Sequence, residues 1–124
     1  MHIKDAAALS GLSIDTIRFY EKAGMLPTAR RDKRGWRDFD PDTLEWLRNL
    51  ARLRSTGMPL KDVKQFAILV HAKDANRPSA ALERLDLLMQ HSSRLKERQK
   101  DLDQCATYLK TKIAIYEKLG KNKS

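Results

Sequence analysis

The chain has 124 residues, 41% of them hydrophobic, which is enough for one or at most two small domains with a modest core. A formal net charge of +9 indicates a polyanionic partner, because clustered Lys and Arg gain affinity by releasing condensed counterions. We expect nucleic acid first and an anionic membrane second. No apolar run approaches the ~20 residues that span a bilayer. Residues 1–11 lack the apolar core of a signal peptide. The single cysteine, Cys105, excludes an internal disulfide, so a cytoplasmic protein is expected.

Two short helices joined by a turn are predicted first. The first has apolar residues at helical spacing, and Gly11 is placed to end it. Ser13 is a good N-cap for the second helix, with Gly24 as its C-cap. Ile17 and Phe19 of the second helix are available to a core. This helix–turn–helix pattern is weak evidence on its own, because many small helical proteins contain one.

A cationic hairpin is predicted after the second helix. Pro27 and Gly35 interrupt any helical period, and the turn is expected near residues 32–34. Between residues 30 and 37 the chain carries five cations and one anion, a density that a solvated loop seldom reaches.

Two amphipathic helices are predicted next. The third helix has Asp40 as its N-cap, a proline at its first position, leucines at helical spacing and Gly57 at its end. The fourth presents Leu60 and Val63 on its apolar face. The sequence therefore predicts one domain over residues 1–71, with the elements of a winged helix–turn–helix DNA-binding domain, followed by a linker.

A long helix is predicted over residues 78–119, after a linker at 72–77 and before a flexible tail at 120–124. It spans roughly 60 Å, and its seven-residue apolar repeat cannot be buried by one slender helix alone. Packing on the N-terminal domain is the alternative, but the helix is longer than that domain's ~30 Å diameter. A homodimer is therefore expected. The residues expected at the dimer interface are Leu88, Leu95, Leu102, Leu109, Ile113 and Tyr116.

The stretch TIRFYEKAGML places an arginine and two aromatic residues on a short helix before the cationic hairpin. In the major groove, Arg18 can bind a phosphate or a guanine edge, and the Tyr20 hydroxyl can meet a phosphate. Ser13 and Thr16 at the helix start can reach backbone oxygens. The alternative for Arg18 and Tyr20 is an ordinary exposed pair, and for the neighbouring Phe19 it is core packing.

Residues 3–66 resemble the DNA-binding domain of the MerR family of bacterial transcription regulators. The first matching element is the Leu-Ser entry to the second helix. The second is the stretch TIRFYEKAGML, compared with the family pattern T-[IL]-R-[YF]-Y-E-x-x-G-L-[IL]. The third is a Gly35-x-Arg37-x-aromatic wing. A leucine-rich helix ending in Gly57 and a closing long helix complete the pattern. Length and the RDF wing ending are similar to a thiol- or aldehyde-responsive subgroup, whose usual cysteine in the helix ending at Gly57 is missing here.

The resemblance implies a mainly α fold, with a winged helix–turn–helix domain, two further helices and an antiparallel coiled coil joining two protomers. Such dimers bind pseudo-palindromic promoter DNA and distort it for RNA polymerase, at a cost on the order of 1–6 kcal/mol. The wing's usual tyrosines are replaced by Trp36 and Phe39; Phe39 is expected to pack, whereas Trp36 either donates to DNA or packs. The candidate DNA-binding residues are Ser13, Thr16, Arg18, Tyr20, Arg30, Arg31, Lys33, Arg34, Trp36 and Arg37.

Cys105 is the only redox candidate, and the alternative is a small apolar residue beside the coil seam. In an antiparallel coil centred near residue 98 it would approach His91 across the interface, and an imidazolium there would lower the thiol pKa. The cysteines of metal-sensing members are missing, and the histidines show no ligand spacing. No metal, cofactor or enzymatic activity is therefore expected. A basic coiled-coil adaptor for an acidic protein or membrane is the competing hypothesis, under which Arg18→Ala and Tyr20→Phe would matter little.

Overall fold

The computed structural model describes residues 1–122, and this part of the chain is mainly helical, as the sequence predicts. The elements, in chain order, are α1 (Ile3–Ser10), α2 (Ile14–Lys22), β1 (Arg30–Arg31), β2 (Arg37–Asp38), α3 (Pro41–Ser55), α4 (Leu60–His71) and α5 (Pro78–Lys121). The chain divides into one unit over Met1–Leu88 and a second that begins at Met89, so α5 belongs to both.

The predicted N-caps of α2 and α3 are confirmed. The Ser13 hydroxyl accepts a hydrogen bond from the Thr16 N–H at 3.0 Å, and the Asp40 carboxylate accepts one from the Thr43 N–H at 2.7 Å. Each bond satisfies one of the backbone donors that a helix leaves unpaired at its start. These two local signals fix where the helices begin.

The end of α2 lies one residue earlier than the sequence suggests. Ala23 is the C-cap, and Gly24 follows it at a φ of 78°, a left-handed conformation that favours glycine. The Met25 N–H then donates to the Tyr20 carbonyl at 3.0 Å, which closes a Schellman motif. The turn directs Met25 into the core, where it is fully buried.

Within the first unit, the four helices α1, α2, α3 and α4 and the start of α5 share one hydrophobic core. α3 packs on α1 and on α4, and α1 also packs on α2. Val63 is fully buried as predicted, whereas Leu60 is 38% exposed and does not join the core. The buried cluster comprises Ala6, Ile17, Tyr20, Met25, Leu26, Phe39, Leu47, Leu50, Met58, Val63, Ala67 and Leu87.

The hairpin is short and antiparallel, with Arg30 opposite Asp38 and Arg31 opposite Arg37. The turn of the hairpin lies near residues 32–34, as the sequence predicts. Phe39 follows β2 and is fully buried, which confirms that this wing aromatic packs. The buried ring therefore ties the base of an otherwise exposed hairpin to the core.

The 44 residues of α5 correspond to roughly 66 Å of helix. Its predicted dimer residues are all exposed in the single chain, from 38% for Leu95 to 64% for Tyr116. The predicted tail at residues 120–124 is wrong at its start, because α5 continues to Lys121 and Gly120 lacks the positive φ of the chain's other glycines. The last two residues of that tail lie outside the described part.

Candidate nucleic-acid interface

The exposed face of α2 carries a stripe of four side chains. Asp15, Arg18, Phe19 and Lys22 occupy positions i, i+3, i+4 and i+7, which lie along one face of a helix, and all four are exposed. The opposite face of α2 packs in the core. The stripe is thus the part of α2 that can face a large partner.

The start of α2 carries two hydroxyl groups that contact each other. The Ser13 hydroxyl, besides capping the helix, donates to the Thr16 hydroxyl at 2.8 Å. Both lie at the start of the helix, beside Asp15 in its first turn, and their contact with DNA backbone oxygens stays a prediction.

Asp32 organises the turn of the hairpin. Its Oδ1 accepts from the Arg34 N–H at 2.9 Å and from the Trp36 N–H at 3.1 Å. Burial acts to raise the pKa of Asp32, but the two backbone bonds and the nearby charges of Arg34 and His2 outweigh it, so the pKa lies below its ordinary value. The carboxylate therefore stays ionised and holds the turn in shape.

The cations of the hairpin face outward. Arg30, Arg31, Lys33 and Arg34 are all exposed, and the Arg30 side chain is 78% exposed. The Arg31 guanidinium donates to the Gly35 carbonyl at 3.1 Å, which keeps that side chain along the turn. The four cations therefore form an exposed positive surface on the hairpin.

Trp36 belongs to this surface and not to the core, because it is 55% exposed. The Arg34 guanidinium lies 4.7 Å from the centre of the Trp36 ring, and the His2 ring meets it edge-on at 5.3 Å. The Arg34 Nη2 atom also lies 3.3 Å from His2 Nε2. No sequence pattern connects His2 with the hairpin, because the two interacting residues are 32 positions apart.

Arg37 is oriented differently from its neighbours. Its side chain is only 8% exposed and lies 3.9 Å from the Glu21 carboxylate. Both of its Nη atoms donate to the Pro27 carbonyl at 3.3 Å, and the guanidinium lies 5.2 Å from the Phe39 ring. Arg37 thus fastens the hairpin to α2, and its contact with DNA stays a prediction.

A groove lies between α2 and the hairpin, and charged side chains of both elements line it. Arg18 and Lys22 line it from the helix, and Arg31 and Trp36 line it from the hairpin. Residues 1–67, which contain all of these elements, match the family model described as MerR HTH family regulatory protein. The chain belongs to the MerR family.

MerR-family relatives resemble the chain along most of its length. An uncharacterized HTH-type transcriptional regulator of Haemophilus influenzae is 38% identical over 113 residues, which cover 91% of this chain and 81% of the relative. The HTH-type transcriptional regulator YyaN of Bacillus subtilis is 27% identical and covers 92% of this chain and 88% of its own. The protein is accordingly a transcriptional regulator of the MerR type, and the adaptor hypothesis is not favoured.

Solved MerR-family structures share the fold. HiNmlR, a MerR family regulator lacking the sensor domain and crystallised bound to promoter DNA, matches with a TM-score of 0.78 and 35% identity over 99% of this chain and 94% of that one. A MerR-family transcriptional regulator from Bacillus thuringiensis matches with a TM-score of 0.69 and 30% identity over 92% of this chain and 96% of that one. The likeness therefore extends beyond the MerR DNA-binding domain.

The solvent exposure of Tyr20 and Phe19 is the reverse of what the sequence suggested. Tyr20 is 3% exposed and Phe19 is 46% exposed, so the aromatic expected in the core faces solvent and the other one packs. Burial raises the pKa of the Tyr20 hydroxyl, against the opposing charge of Arg54. The contact of this hydroxyl with a phosphate stays a prediction, with Arg54 as a neighbour that no local sequence pattern pointed to.

The sensing hypothesis for Cys105 stays a prediction. Cys105 is exposed, whereas His91 is only 3% exposed. Burial, followed by the charges of Arg94 and Arg98, lowers the pKa of His91 in the single chain. This direction works against the imidazolium that the hypothesis requires beside the thiol.

The described residues contain no group of three His, Cys, Asp or Glu side chains that could hold a metal ion. In the same part of the chain, no helix has the length and apolar character required to cross a bilayer.

Proposed function

We propose that the protein binds promoter DNA by placing the exposed stripe of α2 in the major groove and the hairpin cations on flanking phosphates. The observation that supports this most strongly is the common groove of α2 and the hairpin, with Arg18 on one wall and Arg31 on the other. The similarity to a MerR-family regulator bound to promoter DNA supports the binding of such DNA. The residues proposed to contact DNA are Ser13, Thr16, Arg18, Arg30, Arg31, Lys33, Arg34, Trp36 and Arg37, together with the hydroxyl of Tyr20.

The second part of the proposal is a homodimer formed through α5. The exposed leucines at 88, 95, 102 and 109 recur every seven residues, which is the repeat that pairs two helices in a left-handed coiled coil. An antiparallel pair would present two copies of the α2 stripe to a pseudo-palindromic site. Bending and untwisting of the promoter between them would then control RNA polymerase, and the protein would act in the cytoplasm.

Footprinting on the DNA upstream of the chain's own gene tests the proposal. Wild-type protein should protect two symmetric half-sites and prefer that fragment over random duplex at moderate salt. Arg18→Ala should reduce this preference by roughly ten- to a hundredfold, because a bidentate arginine–base contact is lost. Lys73→Ala, in the exposed linker, is the matched control and should keep the preference. Equal affinity of the wild type for promoter and random duplex would refute the proposal.

A further inference from the structure

Phe19 is an apolar residue in a polar and charged stripe. Its ring is 46% exposed, and its neighbours along the face of α2 are Asp15, Arg18 and Lys22. The Tyr20 ring lies 6.1 Å away at an angle of 54°, so one edge of Phe19 rests near the buried aromatic while the rest stays open. Phe19 has no place in the core, and the polar contacts proposed above do not use it.

The surroundings of Phe19 favour an anionic partner with an apolar point of contact. Phe19 shares a shallow pocket with Thr16, Arg54 and Leu60, and Leu60 is itself 38% exposed. A phenyl ring can neither accept from nor donate to a phosphate, so beside a polyanion its useful contact is with an apolar group. In the major groove the apolar group of the standard bases is the C5 methyl group of thymine.

We propose that Phe19 reads a thymine by packing against its C5 methyl group, beside the base pair that faces Arg18. The inference rests on the proposed function, since it requires α2 in the major groove. Side chains one residue apart on a helix point about 100° away from each other. Arg18 and Phe19 therefore address neighbouring positions and not the same base. The two contacts together would specify a guanine by hydrogen bonding to Arg18 and an adjacent thymine by its methyl group.

Replacement of single thymines by deoxyuridine tests the contact, because deoxyuridine lacks only the methyl group. The probe is the promoter duplex identified by footprinting, with each half-site thymine replaced in turn. At one thymine per half-site, deoxyuridine should weaken wild-type binding by about fourfold, the value expected for one lost apolar methyl contact. The other thymines should show no such effect.

Variants of Phe19 connect the effect to this side chain. Phe19→Ala should bind the thymine and deoxyuridine duplexes equally, and Phe19→Leu, which keeps an apolar side chain, should retain part of the difference. Ile68→Ala is the matched control, because Ile68 is 40% exposed on α4 outside the stripe, and it should show the full wild-type difference.

Two results would overturn the inference while leaving promoter binding intact. In one, no half-site thymine shows a deoxyuridine effect with wild-type protein that still prefers the promoter. In the other, the effect persists unchanged in Phe19→Ala, which would assign the methyl contact to another residue. Failure of the proposed function looks different, because wild-type protein would then not distinguish the promoter from random duplex at all.

Discussion

The Arg37 guanidinium donates two hydrogen bonds, each 3.3 Å long, to the carbonyl oxygen of Pro27. Pro27 lies in the loop that leaves α2, and Arg37 begins β2, so the bonds hold the hairpin at a fixed distance from the α2 stripe. A cation in a basic wing thereby connects the hairpin to the loop that follows α2.

Arg37→Ala should destabilise the protein by about 1–3 kcal/mol, because hydrogen bonds from a largely buried charged group are lost. It should also weaken promoter binding, since the hairpin loses its attachment to α2. Chemical unfolding and a promoter-binding titration measure the two effects. Arg30→Ala removes an arginine that is 78% exposed and should leave the stability within about 0.5 kcal/mol. An unchanged unfolding curve for Arg37→Ala would contradict the anchoring role.

Tyr20→Ala and Phe19→Ala should differ sharply in stability although the two residues are adjacent. Tyr20 is 3% exposed, so its truncation should cost about 3–5 kcal/mol, as for other buried aromatics. Phe19 is 46% exposed, and its truncation should change the free energy of unfolding by only about 0.5 kcal/mol. Urea denaturation of both variants checks this order, and the reverse order would show that Phe19 is the core residue.

Lys33→Ala should change the salt dependence of DNA binding more than it changes the preference for promoter over random duplex. Each protomer would lose one phosphate contact, so the slope of log K against log salt should fall in magnitude by about 2 for a dimer. Titrations of promoter and random duplex between low and moderate salt provide the slopes. Lys73→Ala removes an exposed linker charge of the same type and should leave both slopes unchanged.

Leu102→Glu should convert the protein to a monomer. Leu102 is 63% exposed in the single chain and lies on the seven-residue repeat, so a dimer would bury the new carboxylate. Analytical ultracentrifugation measures the mass, and promoter affinity should fall with loss of the second half-site contact. Glu97→Gln, an exposed position outside the repeat, should remain dimeric. A wild-type protein that sediments as a monomer would refute pairing through α5.

The stabilisation that Asp40 gives α3 should disappear in acid. The Thr43 N–H bond, its side-chain bond and the nearby Arg30 and Arg37 together lower the Asp40 pKa from its ordinary value of 3.8, against a smaller effect of burial. Because the folded pKa is the lower one, the contribution is complete above 3.8 and is lost as the pH falls through the folded pKa.

Unfolding of wild type and Asp40→Ala at pH 7 should therefore differ by about 0.5–2 kcal/mol, the usual value of a helix cap. The difference should shrink when the same pair is compared well below pH 4. Asp40→Asn keeps a good cap without a titrating group and should show no comparable loss relative to Asp40→Ala. A difference that stays constant into acid would exclude the carboxylate as its source.

The parts of the fold that the sequence predicted are those with local causes. Ser13 and Asp40 cap helices through residues three positions ahead, so their roles were visible in the sequence. Tyr20 and Phe19 were exchanged because the rotation of α2 about its axis is set by its packing on other elements. The inward orientation of Arg37 was not predicted for a similar reason, since its partner Pro27 is ten residues away and nothing in a run of cations marks one of them as buried.

From Met89 onward nearly every described side chain of α5 is open to water in the single chain. Such a segment has no interior of its own, so in the proposed homodimer the stability of α5 would depend on association with a second copy. Newly synthesised copies that had not yet paired would then expose this stretch to cellular proteases. The lifetime of the regulator would in that case depend on how quickly two copies find each other.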